Sequence, residues 1–121
     1  MIQEAYCSFE VAKLLKEKGF DEPCYQKYNS DGELSFNRVG YINSENPCDD
    51  FYALAPTHQM AMAWLRNKKI YIQIRMSFNT YLYGAIILKG IFDIYATIPS
   101  KLKTYEEAVE TALKYTLESL I

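Results

Sequence analysis

The segment "KIYIQIRM" (Lys69–Met76) constrains the fold more than any other part of this chain. Ile70, Ile72, Ile74 and Met76 alternate with Tyr71, Gln73 and Arg75. A period of two places the apolar set on one face of a strand and the polar set on the other. Such a strand needs neighbours to complete its backbone hydrogen bonds and a layer to cover its isoleucine face. The following residues supply the neighbours. "TYLYGAIIL" and "IFDIYAT" read as two further strands, with "SFNT" and "KG" as short turns between them. Short turns imply an antiparallel meander. In the second strand the spacing predicts Leu82, Ile86 and Leu88 on one face and Tyr81, Tyr83 and Ile87 on the other. In the third it predicts Phe92, Ile94 and Ala96 opposite Asp93 and Tyr95.

Helices supply the covering layer. "TYEEAVETALKYTLESL" opens with Thr104 and Glu107 at capping-box spacing. Val109, Ala112, Leu113, Thr116, Leu117 and Leu120 then form a stripe over about four turns. Glu110 falls outside it, four residues before Lys114. "APTHQMAMAWLRNKK" predicts a helix over Thr57–Asn67, capped by Thr57, with Ala61, Trp64 and Leu65 facing the core and Trp64 as its anchor. A first helix is expected over Phe9–Lys18. Ser8 is its cap, Val11, Leu14 and Leu15 its buried stripe, and Gly19 its stop.

Between these helices, Cys24–Tyr28 and Glu33–Phe36 read as a hairpin around "NSDG". "NRVGYINSENPCDD" is rich in turn formers and reads as a surface loop. The expected architecture is one α+β domain over residues 1–121, with an antiparallel sheet of about 3–5 strands and about three helices. The C-terminal half follows the order α-β-β-β-α.

Composition restricts the function classes. Met1–Pro56 carries 5 Lys/Arg against 10 Asp/Glu, and Thr57–Ile121 carries 8 against 5. The acidic half is unsuited to phosphate, and the basic half falls short of a typical nucleic-acid footprint. The chain shows no leader pattern and no apolar run long enough for a bilayer, so the expectation is a cytoplasmic protein without membrane contact. Cys7, Cys24 and Cys48 are three cysteines without a close pair, which points away from a disulfide framework.

Candidate sites are few. His58 is the only histidine. It has no partner motif nearby, and the expectation is an exposed residue in the first turn of its helix. Acid–base chemistry would need a partner within hydrogen-bond reach, so an imidazole more than ~10 Å from every cysteine and carboxylate would exclude it. A zinc site built from Cys7, Cys24, Cys48 and His58 lacks the close cysteine pairs that aim two thiolates at one ion. Glu45, Asp49 and Asp50 lack the spacing of a calcium loop, and no phosphate loop is present. No metal and no cofactor are expected, and no catalysis.

The richest surface is the polar face of the meander, where Tyr71, Arg75, Tyr83 and Tyr95 are expected to project together as a binding surface. Tyrosine and arginine are the residues that dominate interface energetics. The expected function is therefore a small non-catalytic interaction or accessory protein that binds an unidentified protein partner or associates with itself. The alternative is weak nucleic-acid binding, with tyrosines as stacking platforms beside Arg66, Lys68, Lys69, Lys101 and Lys103.

Two resemblances bear on this reading. The α-β-β-β-α order from Thr57 resembles the topology of double-stranded-RNA-binding domains. That family's basic motif at the start of the last helix is replaced here by "TYEEAVE", whose carboxylates repel phosphate, so the likeness carries no function. "YCSFEVAKLLKEKGFDEPCYQKYNSDGELS", "APTHQMAMAWLR" and "YEEAVETALKYTLESLI" resemble an abundant group of small proteins from phages, prophages and mobile elements of gut Bacteroides. That resemblance implies a setting and no activity.

Overall fold

The structure, a computed structural model, describes residues 4–37, 40–90 and 93–121, without the side chain of Asp93. Among the described residues, three helices and two three-stranded antiparallel sheets make it an α+β protein. The chain divides into two compact units, Met1–Thr57 and His58–Ile121.

The N-terminal unit begins with α1, Phe9–Glu17. Ser8 caps it as expected, accepting the Val11 N–H at 3.2 Å. Val11, Ala12 and Leu15 are buried, and Gly19 ends the helix at φ +91. β1 (Gln26–Tyr28) and β2 (Leu34–Phe36) form the expected hairpin, with Tyr28 opposite Leu34. Asn29 organises its turn, because its side-chain oxygen accepts the N–H groups of Asp31 and Glu33. The segment expected to be loop holds one core residue, since Ile42 is fully buried and bridges to Cys24. Beyond that segment, β3, Ala53–Leu54, pairs antiparallel with β1. A two-residue strand has no periodicity of its own, so only its tertiary pairing reveals it. Ala12, Tyr28, Ala53 and Ala55 form a small core flanked by Phe9 and Tyr52. Tyr28 Oη donates to the Cys7 carbonyl at 2.6 Å, which satisfies its buried hydroxyl.

The C-terminal unit begins with α2, His58–Asn67. Three strands follow in the order β4 (Ile70–Met76), β5 (Tyr83–Lys89) and β6 (Asp93–Leu102), and α3 (Tyr105–Ser119) closes the unit. Thr104 caps α3 by accepting the Glu107 N–H at 3.0 Å, and the Glu107 carboxylate reaches back to the Lys103 N–H at 3.1 Å. Ala108, Val109, Ala112, Leu113, Thr116 and Leu117 line its buried side. α3 packs on all three strands, and α2 packs on β4 and α3. The helices therefore cover one face of the sheet, where Ile70, Ala85 and Ile87 are buried.

Register decides which residues lie on that face. Ile72 pairs with Ile87 and Ile74 with Ala85, so Ala85 and Ile87 join the isoleucine stripe. The expected assignment of Leu82, Ile86 and Leu88 to the core is corrected accordingly. The apolar run Ala85–Leu88 reads equally well in either phase, and its pairing with β4 decides. β6 departs further. A bulge at Tyr95 of β6 sets Ala96 opposite Ile87 but Ile94 opposite Leu88. Ile94 and Ala96 thus point to opposite faces, contrary to expectation, and Ile94 is 63% exposed. Phe92, assigned to that stripe, lies outside the described residues. No helix among the described residues is long and apolar enough to cross a membrane.

Candidate functional site

His58 is not the exposed first-turn residue that the sequence suggested. It is buried, and its Nε2 lies 2.7 Å from Oε2 of Glu110 on α3. The reason is helical phase. His58, Ala61, Met62 and Leu65 are the buried residues of α2, and they stand at i, i+3, i+4 and i+7. Trp64, expected to anchor the core, is only half-buried and carries the Lys68 ammonium 4.6 Å above its ring. Leu65, fully buried, is the anchor instead. The signal for His58 was present in the sequence as a histidine in register with Ala61 and Leu65. It was obscured because the stripe was phased on the larger Trp64.

The Glu110 side chain retains 26% of its accessibility, against 8% for His58. The pair therefore has a dry imidazole and a partly wet carboxylate. Chemically, a carboxylate on Nε2 fixes the ring's orientation and tautomer and leaves Nδ1 as the remaining ring nitrogen. The distance criterion that would have excluded acid–base chemistry is not met, since a carboxylate stands in direct contact. The same contact joins α2 to α3, which a structural tie also requires.

The cysteines occupy varied environments. The Cys7 thiol is buried and faces the Thr57 carbonyl at 3.9 Å. Cys24 is buried with its thiol 3.3 Å from the Glu22 carbonyl. Burial, reinforced by the Glu22 charge, pushes the Cys24 thiol up to about 12, so it stays protonated. Cys48 is half-buried in a cleft with Lys27, Phe36, Pro47 and Asp49. The acidic loop is organised by hydrogen bonds to its neighbours. The Lys27 ammonium donates to the carbonyls of Asp49 and Asp50, and Ser30 donates to the Asp50 carboxylate at 3.0 Å.

The four residues proposed as a binding surface do not share a face. Tyr71 pairs with Leu88 and Arg75 with Gly84, so both lie on the face turned away from the helices. Tyr83 pairs with Met76 and belongs to the helix-covered face, where its ring meets Tyr105 of α3 edge-on at 6.1 Å. Tyr95 sits at the β6 bulge, 50% exposed, with the Lys89 ammonium 5.9 Å above its ring. The open face carries Tyr71, Gln73 and Arg75 from β4, Ile86 and Leu88 from β5, and Ile94 and Thr97 from β6. Ile86, Leu88 and Ile94 are the members that sequence reasoning missed. Their place on this face follows from register and bulge. A shallow groove of about 430 Å³ runs along this region, lined by Tyr71, Ile72, Gln73, Leu88 and Gly90.

The lysines of this unit's sheet fall into two groups. Lys68 and Lys69 precede β4 at one end of the sheet, and Lys89 pairs with Ile70 there. Lys101 and Lys103 flank Leu102, which pairs with Tyr83 at the other end. Seven strand residues separate these ends by roughly 20 Å. No protein-family model, curated protein or solved structure matches the chain.

Proposed function

We propose that the chain is a small non-catalytic interaction protein of phage or mobile-element origin, and that the open face of its C-terminal sheet binds a protein partner. One observation carries this reading. Within its unit the sheet carries α2 and α3 on one side, and its other side combines Tyr71 and Arg75 with Ile86, Leu88 and exposed Ile94. Exposed apolar surface costs free energy in water unless a partner removes it, and tyrosine and arginine supply directional contacts at such patches. The separation of lysines between the two ends of the sheet favours a protein partner over nucleic acid, because phosphate binding needs a continuous basic track. In this reading His58 and Glu110 tie α2 to α3 and hold the covered side together.

The test is capture of the tagged chain from lysate of a gut Bacteroides host, with and without nuclease. The expected result is a protein partner that survives nuclease and moderate salt. Loss of all bound material on nuclease treatment, with affinity falling steeply as salt rises, would replace this reading by nucleic-acid binding.

A further inference from the structure

β4 and β6 are the two outer strands of the C-terminal sheet, and they are protected unequally. β6 contains Pro99, and its register against β5 breaks at two places. Proline and bulges both disqualify an edge from further pairing. β4 has neither. It runs seven residues in unbroken register with β5, without proline or glycine, and Arg75 is its single charge. Gln73, Arg75 and Met76 are exposed, and Tyr71, Ile72 and Ile74 are only half-buried. Among the described residues no strand pairs with its outer side.

The backbone polarity of that edge can be read from its ends. Ser77 N–H donates to the Leu82 carbonyl at 2.9 Å, and Gly90 N–H donates to the Lys69 carbonyl at 2.8 Å. Residues 69 and 77 therefore aim at the β5 side, and by alternation so do Tyr71, Gln73 and Arg75. Ile70, Ile72, Ile74 and Met76 turn their N–H and C=O groups outward. These are the same residues whose side chains form the apolar stripe.

We propose that β4 pairs with β4 of a second copy, antiparallel about a two-fold axis through Gln73, so that two three-stranded sheets become one of six strands. The sequence "IYIQIRM" is complementary to itself in this register. Ile72 faces Ile74 of the second copy, and Ile70 faces Met76, each as a hydrogen-bonded pair, because these are the positions with outward backbone groups. Tyr71 faces Arg75 in the close, non-hydrogen-bonded spacing, which suits a cation over a ring. Gln73 meets its own copy on the axis. Shifting the register by two residues toward the N-terminus sets Lys69 against Arg75, and any shift by one sets the apolar stripe against the polar one. The register centred on Gln73 is thus the one that uses all seven residues without opposing like charges. This extends the proposed function, since pairing makes the two open faces continuous, but it rests on the edge rather than on the face.

Sedimentation equilibrium of the full chain from micromolar to submillimolar concentration tests it. The expected result is a reversible dimer. Gln73→Glu and Gln73→Lys each place like charges on the axis and should weaken dimerisation about fivefold. Both change an exposed side chain, so the fold persists, as circular dichroism will verify. Mixing the two variants should restore association, since Glu then faces Lys. A chain that stays monomeric throughout overturns the proposal, as does a dimer whose strength ignores both substitutions and their mixture. A dimer that captures no partner leaves this proposal standing and removes the face reading; a monomer that captures one does the reverse.

Discussion

Replacing both members of the His58–Glu110 pair should cost less than the two single replacements together. Glu110→Ala leaves the buried His58 Nε2 without the carboxylate now 2.7 Å away. Losing a hydrogen-bond partner from a buried polar group costs about 1–3 kcal/mol. Glu110 retains 26% accessibility, so water can partly replace its carboxylate, and the lower part of that range applies, about 1–2 kcal/mol. His58→Leu keeps volume on the buried stripe but removes the nitrogen, leaving a carboxylate that can turn to solvent, at about 1 kcal/mol. In the double variant no buried nitrogen is orphaned. The coupling between the two sites should therefore be about 1 kcal/mol or more, whereas independent sites add to within about 0.3–0.5 kcal/mol. Urea unfolding followed by fluorescence reads this directly, because Trp64 is the chain's only tryptophan and lies on the same helix as His58. Additive single effects would refute the reasoning and show that the contact does not tie α2 to α3.

Other expectations follow from particular contacts. Gly84→Ala should destabilise the C-terminal unit by about 1–3 kcal/mol, seen as a lower urea midpoint, because a Cβ there would lie 2.4 Å from the Ile98 carbonyl oxygen and 2.8 Å from backbone atoms of Pro99 and Ser100. Alkylation at neutral to mildly alkaline pH should label Cys24 only after unfolding, since the thiol is buried and its ionisation is pushed up to about 12. Linkage gives a matching sign. The folded thiol ionises at higher pH than the unfolded one, so its contribution to stability is complete below about 9 and declines as pH rises from there toward about 12. A Cys24→Ala chain should lack that alkaline component. Gln73 variants should behave as the edge-pairing scheme requires.

How far the sequence could be read depended on whether an element carries its own signal. α3 announces both its start and its face, since the Thr104 cap and the stripe from Val109 to Leu117 are local features. β4 does the same by alternation. β5 does not, because Ala85–Leu88 is apolar throughout and its phase is imposed by Ile72 and Ile74 across the ladder. β6 cannot be phased by alternation at all, since a bulge reverses its faces between Ile94 and Ala96. That single irregularity also took Tyr95 out of the ladder register and brought Ile94 onto the open face. Tyr71 and Arg75 were legible because they share a strand with a clean period. The His58–Glu110 contact was not, since it joins residues 52 positions apart on two helices and no local pattern encodes such a pairing.

The central claim is that the open face, and not the helix-covered one, makes the contact. Capture from the same lysate should therefore compare three chains: wild type, Tyr71→Ala with Arg75→Ala, and Tyr83→Ala. The first pair alters the open face, whereas Tyr83 packs against Tyr105 on the other side. The account predicts that the double variant loses its nuclease-resistant protein partner while Tyr83→Ala, if folded, retains it. Full retention by the double variant would contradict it.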